Sequence, residues 1–116
     1  MKYILLIYSE EGVWQPDELE VARDQSVLLC HDLNEQGRYL SAAPLHPVSS
    51  ATCVCVRDGQ RTVSDGPYAE TKEQLAGYFL IDVANLDEAI SVAASIPGTQ
   101  RGTTEIRPIV ELSGLP

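Results

Sequence analysis

Basic side chains are scarce in this sequence. Eight Lys and Arg stand against seventeen Asp and Glu, a formal net charge of −9. The deficit is even along the chain: residues 1–58 carry nine acids and four bases, and residues 59–116 carry eight and four. A nucleic-acid binder needs a basic footprint against dense phosphate charge, and none is visible. No direct nucleic-acid partner is expected, and an anionic membrane surface is disfavoured by the same argument. Long apolar runs are also missing. The longest, Tyr3–Tyr8, is far short of the roughly 20 residues that span a bilayer. Lys2 is the only charge before it and no small-residue cleavage site follows, so it reads as a strand rather than a signal peptide. The cytoplasm is the expected compartment.

Cysteine is sparse and unpatterned. Cys30, Cys53 and Cys55 make an odd count, which without an export signal argues for free thiols. There is no CxxC, no Cys/His array and no pair of histidines at ligand spacing, so no metal is expected. GxGxxG, GxxxxGK(S/T) and GxSxG are all absent, which removes nucleotide and hydrolase signatures; no cofactor is expected.

What is present is a regular alternation of strand and helix signals. With 44% hydrophobic and 22% charged residues in 116, the composition is that of an ordinary globular chain, expected to form one domain over 1–116. Residues 2–8 form a continuous apolar strand. Pro16 suits a helix entry, and from Asp17 to Gln36 a helix is predicted with Leu19, Ala22, Ser26, Leu29, Cys30 and Leu33 on one stripe and Gly37 as its stop. Val21 and Leu28 fall on its opposite side. Tyr39 to Ala43 read as a short strand. Thr52–Arg57 and Arg61–Ser64 flank Asp58-Gly59, a hairpin turn signal. Thr71–Gln74 resembles a short helical turn, and Gly77–Val83 is a second near-continuous apolar strand. Asn85 or Asp87 can cap a second helix with Leu86, Ala89, Ile90, Ala93, Ala94 and Pro97 on one stripe. Thr103–Leu112 reads as the last strand, an edge strand because of Pro108.

Two helices, each between strands of one sheet, predict an α+β, ferredoxin-like βαββαβ arrangement with an extra β-hairpin. Its middle strands are the two runs that are apolar on both faces. Two helices cover one face only, so a second copy is expected on the other, as a homodimer.

The segment Asp65-Gly66-Pro67-Tyr68-Ala69-Glu70-Thr71-Lys72-Glu73-Gln74-Leu75, running into Gly77-Tyr78-Phe79-Leu80-Ile81, resembles the signature of the YCII-related family. Within it the likeness is to the subgroup named for Asp-Gly-Pro-Phe, with Tyr68 in place of Phe. Met1-Lys2-Tyr3 to Tyr8, Leu86-Asp87-Glu88-Ala89 and Glu105-Ile106-Arg107-Pro108 are similar too. The resemblance implies subunits pairing sheet to sheet as a dimeric α/β barrel. It implies little about activity, beyond an association of the subgroup with extracytoplasmic-function sigma factors and hence a sigma-factor-linked protein partner. Some relatives carry a His/Asp pair with the His on the first helix. Counting back from Gly37, that position is Ser26 here, and His31 lies five residues further on, more than one turn away.

His46, between Pro44 and Pro47, is the natural general acid or base, because histidine changes charge near neutral pH. Its alternative is a solvated loop residue. Asp65 is its candidate partner, or else a carboxylate that holds the turn before Gly66 and Pro67. Tyr68, Glu70, Lys72 and Arg107 are candidate substrate contacts. Against that stand a core role for Tyr68 and Tyr78, a solvated charge cluster at Glu70, Lys72 and Glu73, and surface pairing of Arg107 with Glu105 or Glu111. Trp14, beside Pro16, is a lid, a contact or a packed cap. Two functions follow: a small cofactor-independent enzyme doing acid/base chemistry on a small molecule, or a non-catalytic ligand-binding or interaction module using Val21 and Leu28.

Overall fold

A computed structural model describes all residues, Met1–Pro116. The elements are β1 (Lys2–Ser9), α1 (Pro16–Glu35), β2 (Tyr39–Pro44), β3 (Thr52–Arg57), β4 (Gln60–Asp65), β5 (Gln74–Asp82), α2 (Leu86–Ser95) and β6 (Gly102–Pro108), with 3-10 turns at Val48–Ser50 and Pro97–Gln100. A four-stranded antiparallel sheet has the order β2-β5-β1-β6, and β3-β4 form a separate two-stranded ribbon. This is the ferredoxin-like arrangement, with the two doubly apolar strands in the middle.

Strand alternation decides what the sheet buries. Tyr3, Leu5 and Ile7 of β1 and Phe79 and Ile81 of β5 are buried and form the core with Leu33, Val83, Ala89, Val92, Ala93 and Ile96. The alternate residues Ile4, Leu6, Tyr78 and Leu80 lie on the opposite face and stay partly exposed. The molecule is a slab 21 Å thick, room for one sheet layer and one helix layer of about 10 Å each and no third. Its radius of gyration, 15.9 Å, exceeds the roughly 13 Å of a compact chain of this length. The β3–β4 ribbon, which makes its main contacts within itself, accounts for part of that spread.

Local chemistry sets the element ends. Pro16 opens α1, and the Gln15 N–H donates to Glu18 Oε1 at 3.0 Å. The helix ends in a Schellman motif: Gly37 has φ +70°, its N–H bonds to the Asn34 carbonyl, and the Arg38 N–H reaches the Leu33 carbonyl. Asn85 caps α2 by accepting from the Glu88 N–H at 3.0 Å. Asp58 and Gly59, at φ +50° and +73°, make the two-residue hairpin turn.

Three local expectations change. Thr71–Gln74 is not helical: the Gln74 amide donates to the Ala69 and Thr71 carbonyls and Gln74 opens β5. On α2 the inward residues are Ala89, Val92 and Ala93, while Leu86, Ile90 and Ala94 are exposed, because the helix packs with Val92 rather than Ile90 toward the sheet. Finally, β6 stops at Pro108, with Ile109 bonded back to the Lys2 carbonyl.

Candidate functional site

Between the inner face of α1 and one end of the sheet lies a cavity of about 660 Å³, within the size range of small-molecule sites. Its walls are built from Ile7, Ala22, Phe79, Gly77 and Ile96, all buried or nearly so, with Ser26 and Cys30 projecting from α1. Around the rim stand the exposed Glu10, Glu11, Arg23 and His46 and the half-buried Trp14. An apolar interior with a few polar groups at the mouth suits a small molecule with an apolar body.

The His46 loop is held by an irregularity in β5. Opposite β1, Ile7 pairs with Gly77 but Tyr8 pairs with Leu75, so Ala76 is an extra residue. Such bulges re-aim the chain beside sites. Here the Ala76 carbonyl accepts from the Leu45 N–H at 2.8 Å, fixing the Pro44–Pro47 loop over the cavity. Gly77 is required there by packing: a Cβ would sit 2.9 Å from the Ala43 carbonyl oxygen and 3.2 Å from Pro44 Cα.

Electrostatics is organised beside the rim. The Arg101 guanidinium, which donates to the Glu18 carboxylate at 2.5 Å, holds that carboxyl at about 2 against an ordinary 4.5, helped by the Gln15 N–H. Burial pushes the Cys30 thiol up from its ordinary value, the behaviour of an unactivated thiol. No group of three or more His, Cys, Asp or Glu is arranged to hold a metal ion.

Of the residues singled out from the sequence, His46 and Trp14 line the cavity, while Asp65, Tyr68, Glu70, Lys72 and Arg107 do not. Asp65 is tied into the ribbon opposite Thr52, with the following Gly66 N–H on the Ala51 carbonyl, so it shares no wall of this cavity with His46 in the subunit. Tyr68 is 97% exposed, neither core nor cavity wall, because the Asp65-Gly66-Pro67 break carries it off the sheet. Glu70 and Lys72 are exposed beside it. Arg107 lies on the sheet face away from the helices and pairs with Glu105 at 3.5 Å. Tyr78 is half-buried on that same face, with its hydroxyl 2.8 Å from Ser41 Oγ. The sequence reading passed over Ser26, Cys30 and Arg23 as site residues. The signal was there: Ser26 and Cys30 are polar atoms one turn apart on an otherwise apolar stripe.

Residues 1–113 match the model of the YCII-related domain. The chain is also 39% identical to uncharacterized protein R00369 of Rhizobium meliloti (strain 1021), across 94% of this chain and 92% of that protein. The chain belongs to the YCII-related family. Among solved structures this YCII-related protein is similar to 5-chloro-2-hydroxyhydroquinone dehydrochlorinase from Burkholderia phenoliruptrix AC1100, in complex with 2,5-dihydroxybenzoquinone, at a TM-score of 0.50 and 14% identity over 95% of this chain and 94% of that one. At that identity the likeness speaks to the fold alone, a ferredoxin-like α+β arrangement. No helix of the YCII-related chain is long and apolar enough to cross a membrane.

Proposed function

We propose that this protein, a member of the Asp-Gly-Pro-Phe subgroup, is a small cofactor-independent enzyme whose α1–sheet cavity binds a small molecule with an apolar body, and that His46 moves a proton on it. The observation that carries this reading is a cavity of about 660 Å³ with buried apolar walls and an imidazole at its mouth. Histidine serves in either direction near neutral pH, so proton abstraction, isomerisation and elimination are all within reach of one such group. The dehydrochlorination in the solved neighbour's name is an elimination, which makes 2,5-dihydroxybenzoquinone a sensible first probe.

The working form is a homodimer. Support comes from the slab itself: Ile4, Leu6 and Leu80 form an apolar stripe on the face that carries no helices. Only a third layer shields them, and the same face of a second copy is self-complementary in chemistry.

Solvent-deuterium exchange into the ring C–H positions of 2,5-dihydroxybenzoquinone tests the catalytic part. Protein-dependent exchange that saturates with probe and falls about 10²-fold or more in His46→Asn is the expected result. Exchange at full rate in that variant, or unaffected by Ser26→Phe, which puts a ring into the cavity from α1, overturns the reading.

A further inference from the structure

Trp14 reaches the cavity rim from the Glu10–Gln15 segment between β1 and α1, and it is held there from outside. Arg101, in the turn leading into β6, places its guanidinium 4.3 Å from the centre of the indole ring. The same side chain donates to the Val13 carbonyl at 3.3 Å and to Glu18 at 2.5 Å. Trp14 lines the cavity and Arg101 does not, so Arg101 backs the indole. The segment's other flank is tied as well: Glu11 Oε1 accepts from the Val48 N–H at 2.8 Å, just beyond His46. A six-residue connection without regular structure is thereby pinned to two separate parts of the fold.

We propose that Glu10–Gln15 is the lid of the cavity and that Arg101 is a positioning residue, latching the lid through Trp14, Val13 and Glu18. Its use in holding a ligand rests on the reading of the cavity given above; the latch itself does not. An exposed ion pair and a cation–π contact are each worth little alone. Removing one side chain that makes three contacts releases them together, and the segment then opens locally without unfolding the core.

Two residues report lid position without any ligand. Trp14 is the single tryptophan, and Cys30 lines the same cavity from further along α1. In a full-length Cys53→Ser/Cys55→Ser background, Cys30 is the lone thiol. The experiment measures its alkylation rate with a bulky maleimide, the Trp14 emission maximum, and urea stability. Arg101→Ala is expected to raise the Cys30 rate about five- to tenfold and to red-shift Trp14. Arg101→Lys, which keeps a cation but loses the planar fork, is expected to recover part of both. Glu11→Ala removes the acceptor that ties the other flank and is expected to raise the Cys30 rate alone. The latch is refuted if Arg101→Ala leaves the rate and the emission unchanged, or if the rate rises only in proportion to a loss of global stability. Amide NMR shifts on adding 2,5-dihydroxybenzoquinone separate the two claims. A latch that responds while the cavity amides stay still overturns the ligand reading only; probe binding with an unresponsive latch overturns the latch only.

Discussion

Gly77→Ala perturbs the site through backbone alone. Gly77 is paired with Ile7 on one side and Pro44 on the other, next to the bulge at Ala76. Its added Cβ would meet the Ala43 carbonyl oxygen at 2.9 Å, where ordinary contact begins near 3.4 Å, so β2 must retreat by about 0.5 Å. The Ala43 carbonyl oxygen and Pro44 Cα are both backbone atoms, so neither can swing away as a side-chain tip would. Inserting a methyl into packed structure costs about 1–3 kcal/mol. Alanine's lower unfolded-state entropy returns about 0.5–1 kcal/mol, leaving a net loss between about 0 and 2.5 kcal/mol, centred near 1 kcal/mol. Against a total of roughly 5–15 kcal/mol the variant stays folded. Urea unfolding measures the loss. Hydrogen exchange at the Leu45 amide, whose bond to the Ala76 carbonyl spans the strained joint, shows whether it is local, and that amide is expected to exchange faster than those of β1. Wild-type stability together with unchanged exchange at Leu45 would refute the claim that this contact fixes the His46 loop.

Other outcomes follow from the same geometry. Asp65→Asn, Glu70→Gln and Lys72→Ala should leave the probe's deuterium exchange within about twofold of wild type, since none lines the cavity; a loss as deep as that of His46→Asn would move the site to the ribbon base. Glu18 is depressed in the fold to about 2 from 4.5 by Arg101 and the Gln15 N–H. Its stabilising contribution is therefore complete above about pH 4.5 and lost as pH falls toward 2. In a carboxyl NMR titration Arg101→Ala should return Glu18 toward its ordinary value, and an unmoved midpoint would remove Arg101 as the cause. Leu80→Glu places a charge on the apolar stripe opposite the helices; sedimentation velocity at micromolar concentration should show a dimer for the wild type and a monomer for the variant, and a wild-type monomer would end the sheet-pairing proposal.

Much of the architecture is written into local pattern. The runs at Tyr3–Tyr8 and Gly77–Val83 are apolar at successive positions, and only a central strand tolerates that on both faces. Gly37, Asp58-Gly59 and Asn85 name their turns and caps by backbone chemistry, and each is found in that role. The Thr71–Gln74 segment misled because its composition suits a helical turn, whereas Gln74 satisfies the Ala69 and Thr71 carbonyls by side chain and leaves no helix to form. The site was less legible because it is assembled from remote pieces. His46 was readable as a titratable group in a proline-framed loop. Ser26 and Cys30 stand out as a polar pair on the α1 stripe, but their nearness to the His46 loop, the extra residue at Ala76 that aims it, and the reach of Arg101 to Trp14 are set by tertiary packing. Asp65 looked like its partner by residue type, but strand pairing with Thr52 holds it in the ribbon.

The most direct test of the account is an amide NMR map recorded while 2,5-dihydroxybenzoquinone is titrated into the intact protein. A saturable response concentrated at Ser26, Cys30, Leu45, His46 and Gly77 is the predicted result. A response confined to Tyr68–Lys72 and the ribbon, with those cavity amides unmoved at saturation, would contradict it.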